Sequence, residues 1–202
     1  MIAEHTGKLR LFHTTMNGSK SANLLMQVYN FERQGKFILA FKPAIDTRTD
    51  DEIRSRAISE SHQAYPIPKG SRGNMLEIVR KHRKKNISRI FIDEIQFFDP
   101  EQIDELAQIA IQYGIDIYCY GLLNSFTGKA FPSIIRCIEV GFIFEEMKMQ
   151  CDLCENRASN HLLFVDGKVM RGEEAEVHVG DSEFKSVCYR CFDEVYNETI
   201  NI

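Results

Sequence analysis

The sequence has no uninterrupted apolar run of the ~18 residues that a membrane-spanning helix needs. Its most apolar stretch, residues 109–123, is broken by Gln112, Gly114 and Asp116. Nor does it carry an excess of positive charge. Lys and Arg number 25 against 29 Asp and Glu, a formal net charge of −4. That balance argues against coating nucleic acid by phosphate neutralisation, yet leaves room for a local basic pocket around a small phosphorylated ligand. Residues 1–10 contain no apolar h-region and do not read as a signal peptide. No internal repeat or low-complexity tract is present. Without an export signal, the six cysteines favour metal ligands or buried thiols over disulfides. The expectation is a soluble, cytoplasmic, globular protein with no nucleic-acid or membrane partner.

What is there is alternation. Residues 8–13 read as a strand, followed by a polar, small-residue turn over 14–21. A helical period then appears in Leu24, Leu25, Val28 and Phe31 and stops at Gly35. Residues 37–41 form a second strand that ends at Pro43. Residues 46–73, polar and holding Pro66 and Pro68, read as loop-rich and mobile. Met75, Leu76 and Val79 suggest another helix. Residues 87–92 form a compact apolar strand, and Pro100 opens a helix with Ile103, Leu106, Ile109 and Ala110 on one face. After Gly114, residues 115–120 form a further strand. This order predicts an α/β fold, a parallel sheet flanked by helices. The elements shorten near Met147, so one domain is expected over 1–148 and a second over 149–202. The basic run 80–85 closes a helix and reads as a solvated face.

Cys151 and Cys154, then Cys188 and Cys191, form two C-x2-C pairs separated by 33 residues. Each pair can turn two sulfurs to one point, and together they make a closed S4 site suited to structural Zn²⁺, favoured over incidental thiols or a redox pair. Cys119 and Cys137 lie in apolar patterns and read as core residues.

Thr14-Thr-Met-Asn-Gly-Ser-Lys20-Ser21 occupies the strand-to-helix turn where a phosphate-binding loop belongs. Lys20 would reach the phosphates and Ser21 would bind Mg²⁺. The pattern G-x-x-x-x-G-K-[ST] is not met, because position 13 is His and Ser19 precedes Lys20, with the glycine at Gly18. A polar turn capped by Ser19 or Ser21 therefore stays open beside the phosphate loop. Asp93 and Glu94 follow a buried strand, where α/β proteins face their ligands. There Asp93 can hold hydrated Mg²⁺ and Glu94 can accept a proton from an attacking hydroxyl.

The segment Asp93-Glu-Ile-Gln-Phe-Phe98 resembles the Walker B region of type II, zinc-containing thymidine kinases of bacterial type. In that family the glutamate is the catalytic base. Further matches follow in order: Met16-Asn17 in the phosphate loop, FKPAIDTR over 41–48, GLLNSF over 121–126 continuing to Phe131, and EAEVHVGDSEFKSVC over 174–188. The last is similar to the family's lasso, which closes over the nucleoside from a zinc-tied base. The resemblance spans about residues 8–191. It implies a P-loop (RecA-like) kinase domain and a C-terminal zinc-binding domain with a lasso loop.

By the same resemblance, Glu94 is the general base, and Thr14, Thr15, Met16, Asn17, Gly18, Ser19, Lys20 and Ser21 serve ATP and Mg²⁺. Asp46, Thr47, Arg48, Asp93 and Gln96 belong to that side as well. Met16, Phe97, Leu122, Phe126 and Phe131 would build the slot for the base. Ala175, Glu176, Val177, His178 and Val179 would bond the thymine edge, with Phe184 as a cover. Implied too are phosphorylation of thymidine (with deoxyuridine as an additional acceptor) in pyrimidine salvage, a homotetramer, and feedback inhibition by dTTP. Three residues depart from the family pattern: Ser19 for glycine, Leu123 for Asp or Arg, and Phe184 for Tyr. Two other readings stay open, a catalytically impaired nucleotide-binding homologue and a zinc-ribbon interaction module.

Overall fold

A computed structural model describes residues 5–45, 51–172 and 182–197. The contacts of the chain gather into two compact units. One comprises residues up to 13, 19–121 and 132–145; the other comprises 14–18, 122–131 and 146 onward.

The first unit is built on a six-stranded sheet. Its strands are β1 (Leu9–His13), β2 (Phe37–Pro43), β5 (Tyr65–Ile67), β6 (Ile87–Ile92), β7 (Ile117–Gly121) and β8 (Ile143–Glu146), in the spatial order β5-β2-β6-β7-β1-β8. The pairings β5 with β2, β2 with β6, β6 with β7 and β7 with β1 are parallel. Parallel neighbours need crossover connections, and helices α1 (Lys20–Arg33), α2 (Asn74–His82) and α3 (Pro100–Tyr113) provide them. Helix α4 (Pro132–Glu139) packs on α3.

The expected faces are the buried ones. Leu24, Leu25 and Val28 of α1 are buried, as are Met75 and Val79 of α2 and Ile103, Leu106, Ile109 and Ala110 of α3. Strand β6 is buried at Ile90, Phe91 and Ile92, the continuous apolar signature of a strand covered on both sides. Helix α3 starts with Pro100 in its first turn while the Asp99 amide donates to Gln102 Oε1 at 2.9 Å. Its buried Glu105 accepts from the amides of Gly73 (3.2 Å) and Leu76 (2.7 Å), satisfying orphan donors at the start of α2.

The segment expected to be loop-rich holds three strands instead. β3 (Glu52–Arg54) and β4 (Ser61–Gln63) pair as an antiparallel ribbon, and β5 joins the main sheet with Lys42 opposite Pro66. A proline cannot donate to a ladder, but among the described residues β5 is an edge strand with a partner on one side.

In the second unit β9 (Asn160–Val165) is flanked by β10 (Lys168–Val169) and β11 (Ser182–Val187), both antiparallel to it, with helix α5 (Tyr189–Tyr196) following. Strand alternation sends Leu162 to a cluster with Cys151, Val187, Cys188, Cys191 and Phe192. It sends Leu163 to the other face, against Phe126 and Phe184.

Candidate active site and metal centre

In the first unit, three conspicuous side chains converge where β6 ends. The amide of Asp93 donates to the Phe41 carbonyl at 3.0 Å, which extends the sheet by one residue and fixes the carboxylate at its C-terminal edge. Ser21, in the first turn of α1, donates its hydroxyl to Asp93 Oδ2 at 3.0 Å. Lys20 is only 7 % exposed, and its charge acts on the same carboxylate. Burial pushes the Asp93 carboxyl up to about 7, helped by the neighbouring Glu94 charge and opposed by the Ser21 hydroxyl and Lys20. Two adjacent carboxylates and a hydroxyl on a buried edge form an oxygen-rich donor set, and hard cations such as Mg²⁺ bind such sets.

Glu94 has φ 50° and ψ 46°, the left-handed region, in which an L side chain costs about 1–2 kcal/mol. Its carboxylate receives Gln96 Nε2 at 2.5 Å. Gln96 is itself buried and held at both ends. Its backbone carbonyl accepts from Ser133 Oγ of α4 at 3.1 Å. Its Oε1 packs so close to Gly121, the last residue of β7, that a β-carbon there would lie 2.6 Å away. The carboxamide thus lies between Gly121 and Glu94, and its amide donates to the Glu94 carboxylate. Phe97, offered by the sequence for the nucleoside slot, is 42 % exposed.

The turn before α1 resolves one alternative left open above. Ser19 is the residue preceding the helix and makes no side-chain cap, and the Ser21 hydroxyl goes to Asp93. Neither serine therefore caps the helix through its side chain. Ser19 instead holds φ 57° and ψ 27°, a conformation that glycine takes freely. Asn17 is left-handed as well, at φ 61°. Alternation of this kind turns successive N–H groups toward one point, the geometry of an anion-cradling nest.

In the second unit Gly18 donates to the Thr15 carbonyl at 3.3 Å. A β-carbon on Gly18 would come within 2.5 Å of the Thr14 side chain and 2.9 Å of Met149 Sδ, so only glycine fits there. The loop 122–131 is closed by Phe131 N to Leu123 O at 3.2 Å and Ser125 N to Lys129 O at 2.9 Å. It buries Leu122 and Phe126. Phe126 and the half-buried Phe184 join one apolar cluster around Leu163, whereas Phe131 is half-buried at the loop's far end. Asp46, Thr47 and Arg48 lie outside the described residues, and so do Ala175, Glu176, Val177, His178 and Val179.

The four paired cysteines do converge. One Sγ from each of Cys151, Cys154, Cys188 and Cys191 lies within 4.8 Å of all the others. Cys154 Sγ is 3.7 Å from Cys188 Sγ and 3.6 Å from Cys191 Sγ. Disulfide sulfurs lie about 2.05 Å apart, whereas the edge of a tetrahedral Zn–S4 site with ~2.3 Å bonds is about 3.8 Å. Backbone N–H groups of Leu153 and Cys191 point at Cys151 Sγ and Cys188 Sγ, each at 3.4 Å, as suits sulfurs bound as thiolates. The donor set fits a closed tetrahedral metal site. Cys119 and Cys137 are buried apart from it, and burial raises both thiols, Cys137 to about 12.

Several residues that shape these sites carry no sequence signal as site residues. Ser133 begins an ordinary helix, and Met149 and Ser186 sit beside the cysteine knuckles without belonging to them. Gly121, at the head of GLLNSF, and Ser186, near the end of EAEVHVGDSEFKSVC, stand inside motifs that carry the resemblance, but neither is marked there as a site residue.

Comparison with known proteins agrees with the geometry. The family model "Thymidine kinase" matches residues 7–192. Thymidine kinases similar to this chain include that of Encephalitozoon cuniculi, 30 % identical over 93 % of this chain and 88 % of its own length. That of Yersinia pestis is 31 % identical over 93 % and 95 %. That of Enterobacteria phage T4 is 30 % identical over 91 % and 94 %. With nearly its whole length matched, and with a carboxylate pair and a cysteine quartet assembled in space, the chain belongs to the thymidine kinase family.

Proposed function

We propose that this protein transfers the γ-phosphate of ATP to the 5′-hydroxyl of thymidine, giving thymidine monophosphate and ADP. The observation that carries the proposal is the Ser21–Asp93–Glu94–Gln96 arrangement at the end of β6, in a chain of this family. Glu94 orients the 5′-hydroxyl and takes its proton as the hydroxyl attacks in line. Lys20 and Arg48 balance charge on the transferring group, and the nest of residues 17–19 holds phosphate oxygens with backbone N–H groups. Ser21 and Asp93 hold Mg²⁺, which when bound neutralises phosphate charge. Thr14, Thr15, Asp46 and Thr47 complete the nucleotide side, and Met16, Phe97, Leu122, Phe126, Phe131 and Phe184 hold the base.

Main-chain groups of residues 175–179 read the thymine edge. The cysteine quartet would hold a Zn²⁺ whose contribution is structural, tying the two knuckles together. Residues 1–148 form the kinase domain and 149–202 the domain that closes the nucleoside site. The enzyme works in the cytoplasm as a homotetramer, with dTTP as feedback inhibitor; family membership supports these three points.

The reading of an impaired homologue rested on Ser19, whose backbone holds the left-handed conformation that glycine takes freely, and this supports a loop that still wraps phosphate. A direct assay with labelled ATP tests the proposal. Thymidine is expected to be phosphorylated and purine deoxynucleosides to be rejected. Nucleotide binding without transfer to thymidine would favour the impaired homologue.

A further inference from the structure

We infer that Ser186 is a positioning residue for the phosphate loop, through which the cysteine-knuckle region sets the direction of the loop's N–H groups. The inference rests on the proposed reading of residues 14–21 as the loop that binds ATP. Ser186 Oγ donates to the Met16 carbonyl at 2.7 Å, a contact between residues 170 positions apart. Ser186 is only 1 % exposed, so water does not compete for that hydroxyl.

Its backbone is held on both sides. The Ser186 amide donates to Asp152 Oδ2 at 2.6 Å, and the Asp152 amide donates back to the Ser186 carbonyl at 2.8 Å. Asp152 stands between Cys151 and Cys154, and Ser186 is two residues before Cys188, so this reciprocal ring joins the two knuckles. On its other edge β11 pairs with β9, Ser186 opposite His161. A second tie runs beside the first: Thr15 Oγ1 lies 3.7 Å from Met149 Sδ, and the same sulfur crowds Gly18.

The physical consequence follows from the planar peptide. In a trans peptide the carbonyl oxygen and the N–H of the next residue point in opposite directions. A donor that holds the Met16 oxygen therefore aims the Asn17 N–H the other way. Asn17 then enters the left-handed conformation that begins the nest. Without the hydroxyl, the peptide between Met16 and Asn17 is free to rotate. The nest must then be ordered by the nucleotide at the expense of binding affinity.

The test uses the full-length, metal-loaded protein and a non-hydrolysable ATP analogue with Mg²⁺, titrated by calorimetry. Ser186→Ala is expected to weaken analogue binding about five- to tenfold and to raise the KM for ATP by the same factor. Metal content, kcat and the KM for thymidine should stay within about twofold of wild type. Amide hydrogen exchange at residues 16–18 should accelerate, and Ser186→Thr, which keeps the hydroxyl, should restore both the affinity and the slow exchange. Wild-type analogue affinity in Ser186→Ala, with Lys20→Ala losing binding, overturns the inference and leaves the phosphate loop standing. Equal losses for ATP and thymidine also overturn it, because they mean general damage to β11. Wild-type binding by Lys20→Ala removes the phosphate-loop reading itself, and this inference with it.

Discussion

At the residue scale the site depends on carboxylates held where they are unfavourable in isolation. Asp93 illustrates this through pH. Its carboxyl titrates near 7 in the folded protein against 3.8 for the free group, so the folded state holds that proton more tightly than the unfolded state does. Stability of the metal-free protein should therefore be highest below about pH 4 with respect to this group, and fall as pH rises through about 7. Asn at this position cannot lose a proton. The stability advantage of Asp93→Asn over wild type, read from denaturant melts without Mg²⁺, should grow by at least about 1 kcal/mol between pH 5 and pH 8. A constant difference across that range would mean that Asp93 is ionised throughout.

Gln96 supplies a second residue-scale prediction. Gln96→Met removes the donor to Glu94, and Gly121→Ala pushes on the same carboxamide. Each should lower kcat about 10- to 100-fold with little change in the KM for ATP. The double variant should be no worse than the poorer single, as a shared route requires. Additive losses would show that the two residues act separately. Sequence patterning exposes Asp93, Glu94 and Ser21 because their chemistry is local to a strand end and a helix start. It does not expose Ser133 or the packing of Gly121 on Gln96, since those contacts close over 37 and 25 residues and leave no periodic trace.

At the element scale, the legible parts were those with a full period to read. The faces of α1, α2 and α3 and the buried run of β6 follow from apolar spacing alone. Strands β3, β4 and β5 were missed because each has three residues, too few for alternation to register, and Pro66 reads as a break. It is tolerated because, among the described residues, β5 has one neighbour. The cysteine knuckles were legible for the opposite reason, since two-residue spacing dictates ligand geometry before any tertiary contact forms. Cys154→Ser should leave less than one zinc per chain by elemental analysis and lower the melting temperature by more than about 5 °C. Full zinc occupancy in that variant would exclude Cys154 as a ligand.

At the scale of the whole molecule, α/β order was visible in the alternation of strand and helix patterns, and family membership in the order of motifs along nearly the full chain. The grouping of residues 14–18 and 122–131 with the C-terminal residues was not visible. It arises from contacts such as that of Ser186 with Met16, which no window of local sequence contains. These two short segments carry residues assigned to the proposed phosphoryl-transfer chemistry.

The most direct measurement of that chemistry is thymidine phosphorylation by Glu94→Gln compared with wild type, alongside calorimetric binding of Mg²⁺ with an ATP analogue to both. The amide keeps the size of Glu94 but cannot accept the proton of the 5′-hydroxyl. Turnover is expected to fall by about 10²- to 10⁴-fold while analogue affinity changes less than about threefold. Wild-type turnover in Glu94→Gln would contradict proton transfer to this carboxylate and with it the assigned mechanism.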